Sequence, residues 1–312
     1  MKRAVLCVAI SVAACGGGSQ PEQTAAPAPA PAPAPPPAVV AKPVAGGWTT
    51  TDGIKNPESV FYDAATGFIY SSQIDGAPDA KDGNGRIAKL NGDGSVVKAD
   101  FVTGLNAPKG VRVCNGTLYV ADLGEVVAAD VATGEVKAHV AIPDSKFLND
   151  VTCDGAKAYV SDMMGNTIYA IEDGKASVAA AGPELEFPNG LLVDGGKFII
   201  GGWGSAPKAD FTTDTPGHIF SYDPATKKKT LITKKTIGNI DGLESDGNGG
   251  YLATDYIKGK LYHVTPAGDF KEVRTFKSGA ADIGYVPASK ILLVPHMNES
   301  QVAAYDLSAD LK

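Results

Sequence analysis

The chain holds 312 residues, with 28 Lys and Arg against 35 Asp and Glu, a formal charge of −7, 37 Gly and 21 Pro. That length suits one large all-β domain or two smaller ones. The acidic balance excludes a nucleic-acid binder, which needs a basic field to neutralise phosphates.

The first segment reads as an address. Lys2 and Arg3 precede an apolar run from Ala4 to Ala14, eleven residues long and too short to span a bilayer. The run ends in Val12-Ala13-Ala14-Cys15 and is followed by Gly16-Gly17-Gly18-Ser19. Small residues just before a Cys resemble a bacterial lipobox. Residues 1–14 would then be the lipoprotein signal peptide, and Cys15 the lipidated mature N-terminus; the alternative is an ordinary signal peptide with a chance Cys. Gly16 in place of Asp resembles outer-membrane sorting in Gram-negative lipoproteins. This implies a lipid-anchored protein of the cell envelope that faces the periplasm and touches the membrane through its lipid alone. Without Lys2 and Arg3 the balance is 26 positive against 35 negative, or −9.

Residues 15–47 read as the lipidated Cys and a linker. Nine of the 21 prolines fall before residue 48, most of them in an Ala-Pro repeat. Proline lacks an N–H and fixes φ, so this stretch cannot pack as helix or sheet. It reads as a semi-rigid spacer, reaching about 100 Å at roughly 3 Å per residue.

From residue 48 to 312 the chain repeats itself. Each unit has a short polar opening, an apolar strand, a Gly/Asn/Asp turn, a second strand and a third. The openings are Asn56-Pro57-Glu58-Ser59, Ala107-Pro108-Lys109-Gly110, Leu148-Asn149-Asp150, Pro188-Asn189-Gly190, Ile240-Asp241-Gly242 and Ala281-Asp282-Ile283-Gly284. Residues 58, 109, 149, 189, 241 and 282 are spaced by 51, 40, 40, 52 and 41, near the roughly 40–50 residues of a propeller blade. Alternating apolar residues with frequent turns predict antiparallel sheet. The expected fold is therefore all-β, a six-bladed β-propeller. Trp48-Thr49-Thr50-Thr51 can supply the outer strand of the last blade and so lock the ring.

The first strand of each blade lines a propeller's channel, so Glu58, Lys109, Asn149, Asn189, Asp241 and Asp282 are expected around the axis. Carboxylate and amide oxygens suit hard cations; the alternative is a metal-free polar ring. The second strands end at Gln73, Asp122, Asp162, Trp203, Asp255 and His296. Of these, His296 is a candidate to touch a ligand, and Trp203 opens an insert, Gly204 to Gly217, that could wall or cover a pocket. Asp122, Asp162 and Asp255 read as turn caps. Cys114 and Cys153 remain once Cys7 leaves and Cys15 is lipidated; they form either a disulfide, which an oxidising envelope allows, or two buried thiols.

Pro57-Glu58-Ser59, Leu148-Asn149-Asp150, Pro188-Asn189-Gly190 and Asp241-Gly242-Leu243, in that order and each at a blade start, resemble the metal-site motifs of the gluconolactonase/regucalcin (senescence marker protein) family. Diisopropyl fluorophosphatase and the paraoxonases are relatives of that family. The resemblance spans roughly residues 50–310. It implies Ca²⁺, or another divalent cation, held by Glu58, Asn149, Asn189 and Asp241, with Asp241 also the general base or nucleophile. The implied activity is hydrolysis of lactones, esters or phosphotriesters by a monomer acting on a small-molecule substrate, which Lys109 and His296 would orient. Lys109 departs from the pattern. It either balances Glu58, Asp241 and Asp282 together with the metal, or pairs with those carboxylates directly. The alternative function is a non-enzymatic envelope scaffold that binds a ligand or a protein. No His-Glu-x-x-His, Gly-x-Ser-x-Gly or paired-Cys motif occurs.

Overall fold

The structure, a computed structural model, describes residues 42–311. The signal peptide, Cys15 and most of the linker lie outside the described residues. Among the described residues no helix is long and apolar enough to cross a membrane.

Six four-stranded antiparallel sheets form the blades. The innermost strands are Pro57–Asp63, Val111–Cys114, Leu148–Asp154, Pro188–Asp194, Ile240–Ser245 and Gly284–Val286. The chain can turn so tightly because its hairpins use residues that tolerate positive φ. Asn115 and Gly116, at φ 47° and 83°, link the first two strands of blade 2, the pairing that suits a two-residue hairpin.

Apolar side chains alternate along the strands and meet those of the next blade. Tyr70, Ile87 and Phe101 of blade 1 pack on Val111, Leu118 and Val127 of blade 2. Leu252 and Leu261 of blade 5 pack on Ile283 and Leu292 of blade 6. The ring closes through the same kind of contact, with Val60, Ile69 and Leu90 of blade 1 against Leu293, Val302 and Ala304 of blade 6. Six such clusters surround the axis. The core is therefore divided among the blade interfaces, and the axis is left to polar residues.

Blade 6 takes its outer strand from the N-terminal side, as the sequence suggests. Trp48–Thr50 pairs antiparallel with Gln301–Asp306, Trp48 opposite Ala304. Trp48 Nε1 and Thr50 Oγ1 also donate to the carbonyls of Gly92 and Gly94 in blade 1, at 3.0 and 2.6 Å. This one short strand thus joins the last blade to the first. The domain starts earlier than Trp48, because the end of the predicted linker is docked on blade 1. Lys42 Nζ meets Asp93 at 2.7 Å, Ala45 N donates to Gly92 O at 3.1 Å, and Val44 packs on the closing cluster.

Cys114 and Cys153 are joined as a disulfide between the innermost strands of blades 2 and 3, with Cα atoms 5.6 Å apart. It closes a loop with a sequence separation of 39, for which chain entropy implies a contribution of about 2–4 kcal/mol. Reduction, or the Cys114→Ser/Cys153→Ser double variant, is expected to lower stability by that amount in denaturant unfolding. An unchanged midpoint would show that the six interfaces make the link redundant.

Candidate functional site

Each candidate residue is aimed by a break in strand pairing. In blades 1, 3, 4 and 5 the register between the first two strands shifts between Pro57/Val60, Leu148/Val151, Pro188/Leu191 and Ile240/Leu243. The two residues skipped are Glu58-Ser59, Asn149-Asp150, Asn189-Gly190 and Asp241-Gly242. Such a bulge re-aims a side chain. The first residue of each pair faces the channel and the second meets the neighbouring blade. A Cβ on Gly190 would come within 2.5 Å of Asp241 O, and one on Gly242 within 2.4 Å of Ile283 N, so only glycine allows the blades to approach this closely.

Hydroxyl groups complete the joint. Ser72, Ser161 and Thr254 accept from the N–H of Ser59, Asp150 and Gly242 at 2.8–2.9 Å. Ser161 and Thr254 then donate onward to Asn189 O and Ala281 O in the next blade, at 2.8 and 2.9 Å. Asp162 and Asp255 cap the turn after the second strand, accepting from Gly165 and Lys258 N–H, and Asp122 and Asp162 also hold the loop that leads into their blade's first strand. Asp122 accepts from Asn106 and Ala107 N–H, and Asp162 from Phe147 and Gly165 N–H.

Glu58, Asn149, Asn189 and Asp241 line one cavity of about 90 Å³, room for several water-sized groups. None is more than 5% exposed. Each keeps a buried oxygen with no hydrogen-bond partner: Glu58 Oε2, Asn149 Oδ1, Asn189 Oδ1 and Asp241 Oδ1. No protein group satisfies these four acceptors, so they are free to meet whatever fills the cavity. Two carboxylate and two amide oxygens match the donor set of a hard cation. Among the described residues no group of three or more His, Cys, Asp or Glu side chains could hold a metal; this candidate set relies on amides.

Lys109 lines the same cavity without forming an ion pair with the ring. Its Nζ donates to Ala107 O and Pro78 O at 3.0 and 3.2 Å and lies 4.5 Å from the Phe147 ring centre. Two other predicted residues are elsewhere. Asp282 does not line the cavity; it accepts from Ser59 Oγ at 2.5 Å and faces a second layer of buried charge containing Arg112 and Asp150. His296 is also outside it. Its ring packs edge-on against Phe276, and its Nε2 lies 2.9 Å from Tyr305 Oη. His296 packs between Phe276 of blade 5 and Tyr305 of blade 6, away from the cavity. Trp203 does line the cavity, and its insert contributes Phe211.

Burial, then the like charges of Asp241 and Asp282, hold the Glu58 carboxyl well above the usual carboxylate range, against the pull of Lys109. Burial first and Asp282 second do the same to Asp241. Burial also pushes Asp150 up to about 7, opposed by Arg112. These groups keep their protons in the folded chain after the unfolded chain, with carboxyl pKa values near 4, has lost them. Their contribution is thus fully present at low pH and is lost as pH rises from about 4 through the folded pKa values. Carboxylates with lowered pKa, such as Glu186 and Asp246, are ionised in both states above about pH 5 and add no slope there. His296, lowered by burial, works the other way below about pH 6.5, but Glu58, Asp241, Asp282 and Asp150 outnumber it, so in chelator the thermal midpoint is expected to fall between about pH 5 and pH 8. A divalent cation held by the deprotonated set would flatten that fall, so the same scan in saturating calcium tests whether one binds there. A midpoint that rises across the window in chelator would contradict the protonated pair.

No protein-family model and no curated protein sequence matches the chain. Solved structures do. A chain from the crystal structure of a nidogen/laminin complex aligns with TM-score 0.58 and 15% identity, over 73% of this chain and 88% of that one. Streptogramin B lyase aligns with TM-score 0.54 and 11% identity, over 81% of this chain and 93% of the lyase. At these identities the likeness is one of fold, the six-bladed propeller, which hosts many unrelated functions.

Proposed function

We propose that the protein is a divalent-cation-dependent hydrolase of lactone- or ester-type small molecules, with calcium as the ion. The observation that carries this reading is the convergence of four unpaired buried oxygens, from Glu58, Asn149, Asn189 and Asp241, on one cavity. These are also the four positions where the sequence resembles the gluconolactonase-like motifs. Bound calcium would supply a Lewis acid that polarises the substrate carbonyl. Glu58, Asn149 and Asn189 would hold the ion. Asp241, when deprotonated, would take a proton from water or attack the carbonyl carbon directly. Lys109, fixed by two carbonyls on the cavity wall, keeps one N–H for the oxygen on which charge develops. The lipobox-like N-terminus supports a protein tethered by Cys15 in the envelope.

Metal analysis and a lactone and ester panel test the proposal. Turnover is expected to stop in chelator and return with calcium, and the product is expected to gain one water. A product isomeric with its substrate would indicate elimination, the type of activity named for the lyase neighbour. A chain that binds no divalent cation and turns over nothing in the panel would instead support a protein-binding scaffold, a use consistent with the nidogen/laminin likeness.

A further inference from the structure

We infer that the substrate carries an apolar, flat substituent rather than a row of hydroxyls. This rests on the function proposed above for the inner end of the cavity; the new claim concerns its outer wall. That wall is built from Phe147, Met163, Trp203, Phe211, Tyr256 and Met297. The rings form a continuous chain. Phe147 and Phe211 have centroids 5.5 Å apart, Phe211 and Trp203 6.4 Å, and Trp203 and Tyr256 6.0 Å.

The polar atoms on this wall are already committed. Trp203 Nε1 donates to Phe211 O at 2.8 Å, and Tyr256 Oη to Met297 Sδ at 3.4 Å. Asn189 Nδ2 contacts Met163 Sδ at 3.6 Å. Lys109 has two of its three N–H groups on carbonyls. With the four ring oxygens given to the ion, one Lys109 N–H and the acceptor side of Tyr256 Oη remain, too few for a polyhydroxylated ring, whose other hydroxyls would be buried unpaired at a cost for each. An aryl or alkyl substituent loses nothing there and gains contact with the four rings. Phe211 is the specificity-determining residue. It sits on the blade-4 insert with φ 62°, held in place by the Trp203 bond and by Asn239 Nδ2, which donates to Trp203 O and Thr213 Oγ1 at 2.7 and 2.8 Å.

The full chain should be titrated in calcium with two five-membered lactams, one phenyl-substituted and one dihydroxylated, whose amide resists hydrolysis. Quenching of tryptophan fluorescence is the readout, and Trp203→Phe should remove the signal. The phenyl lactam is expected to bind at least tenfold more tightly. Phe211→Ser should weaken it about tenfold and leave the dihydroxylated lactam within twofold. Equal or tighter binding of the dihydroxylated lactam, or no binding of the phenyl lactam, overturns the inference. If the phenyl lactam binds as expected but phenyl-substituted lactones are not hydrolysed in calcium, the hydrolase reading fails and the inference stands. If lactones are hydrolysed with calcium but the hydroxylated ones are preferred, the inference alone fails.

Discussion

On the proposed calcium-dependent hydrolysis, Glu58→Gln and Asp241→Asn are each expected to weaken calcium binding more than a hundredfold and to reduce turnover by a thousandfold or more. Each change keeps the shape of the side chain, removes one of the two charges that would balance the ion, and replaces an acceptor oxygen with an N–H₂ donor. Calcium at about a hundred times its Kd should stabilise the parent protein by about 2.7 kcal/mol; in the variants that gain should vanish. Without calcium the sign reverses. Burial and neighbouring carboxylates raise the pKa values of both carboxyls, so ionising them without a cation costs stability as pH rises; an amide at one position removes that cost and should leave the metal-free domain as stable as the parent or more so. This separates a cation site from a structural plug, where the same substitutions break a satisfied network and lower stability with or without calcium. Isothermal titration and thermal unfolding, with calcium and with chelator, measure both effects. Calcium affinity within threefold of the parent in both variants would remove these residues from the site.

The propeller and the four oxygen donors were legible because each depends on a repeated local pattern. A polar opening at the start of every innermost strand must fall at the same place in every blade, and the bulges that aim Glu58, Asn149, Asn189 and Asp241 keep to that rule. Residues that act between repeats were not legible. Phe211 lies in an insert with no periodicity, so nothing in the chain marks it as a wall. Ser72, Ser161 and Thr254 stand one position before Gln73, Asp162 and Asp255, and read as ordinary strand residues until the next blade is in place. Trp203 aligns with the other strand ends in sequence, yet Gly202 is the residue opposite Pro188; the Trp203 side chain reaches the cavity from one position further on. The orientation of His296 is hidden for a related reason. A strand-end position says which rim a residue reaches, while the packing of Phe276 and Tyr305 decides which way its ring turns.

Arg112→Met is expected to cost about 3–5 kcal/mol of stability, the usual loss when one member of a buried charge group is removed. Arg112 stands three residues after Lys109, and Glu244 three after Asp241, so both belong to a layer below the candidate site, contributed by blades 2 and 5. Their Nη1 and Oε1 atoms meet at 2.6 Å. The guanidinium also donates from Nε to Val151 O at 3.1 Å, lies 3.9 Å from Asp150 and stacks 4.8 Å from the Phe61 ring centre. Burial pulls its pKa down, but Glu244, Asp150 and Asp282 outweigh that and keep it protonated. Methionine fills the volume and removes the charge, which leaves three carboxyls to take up protons or repel one another. The Arg112→Met/Glu244→Gln double variant should recover part of the loss, and the size of that recovery in chemical unfolding is the coupling across the channel. Arg112→Lys should fall between, keeping charge but losing the planar fork and the stacking. A cost below about 1 kcal/mol for Arg112→Met would mean that this layer is solvated and holds nothing. The same variant should also weaken calcium binding. Asp150, which Arg112 helps to neutralise, accepts from Leu191 N at 2.7 Å and from Val151 N at 2.6 Å. Its carboxylate therefore fixes the backbone behind both Asn149 and Asn189, and the distance between the two amide oxygens depends on a charge neither of them touches.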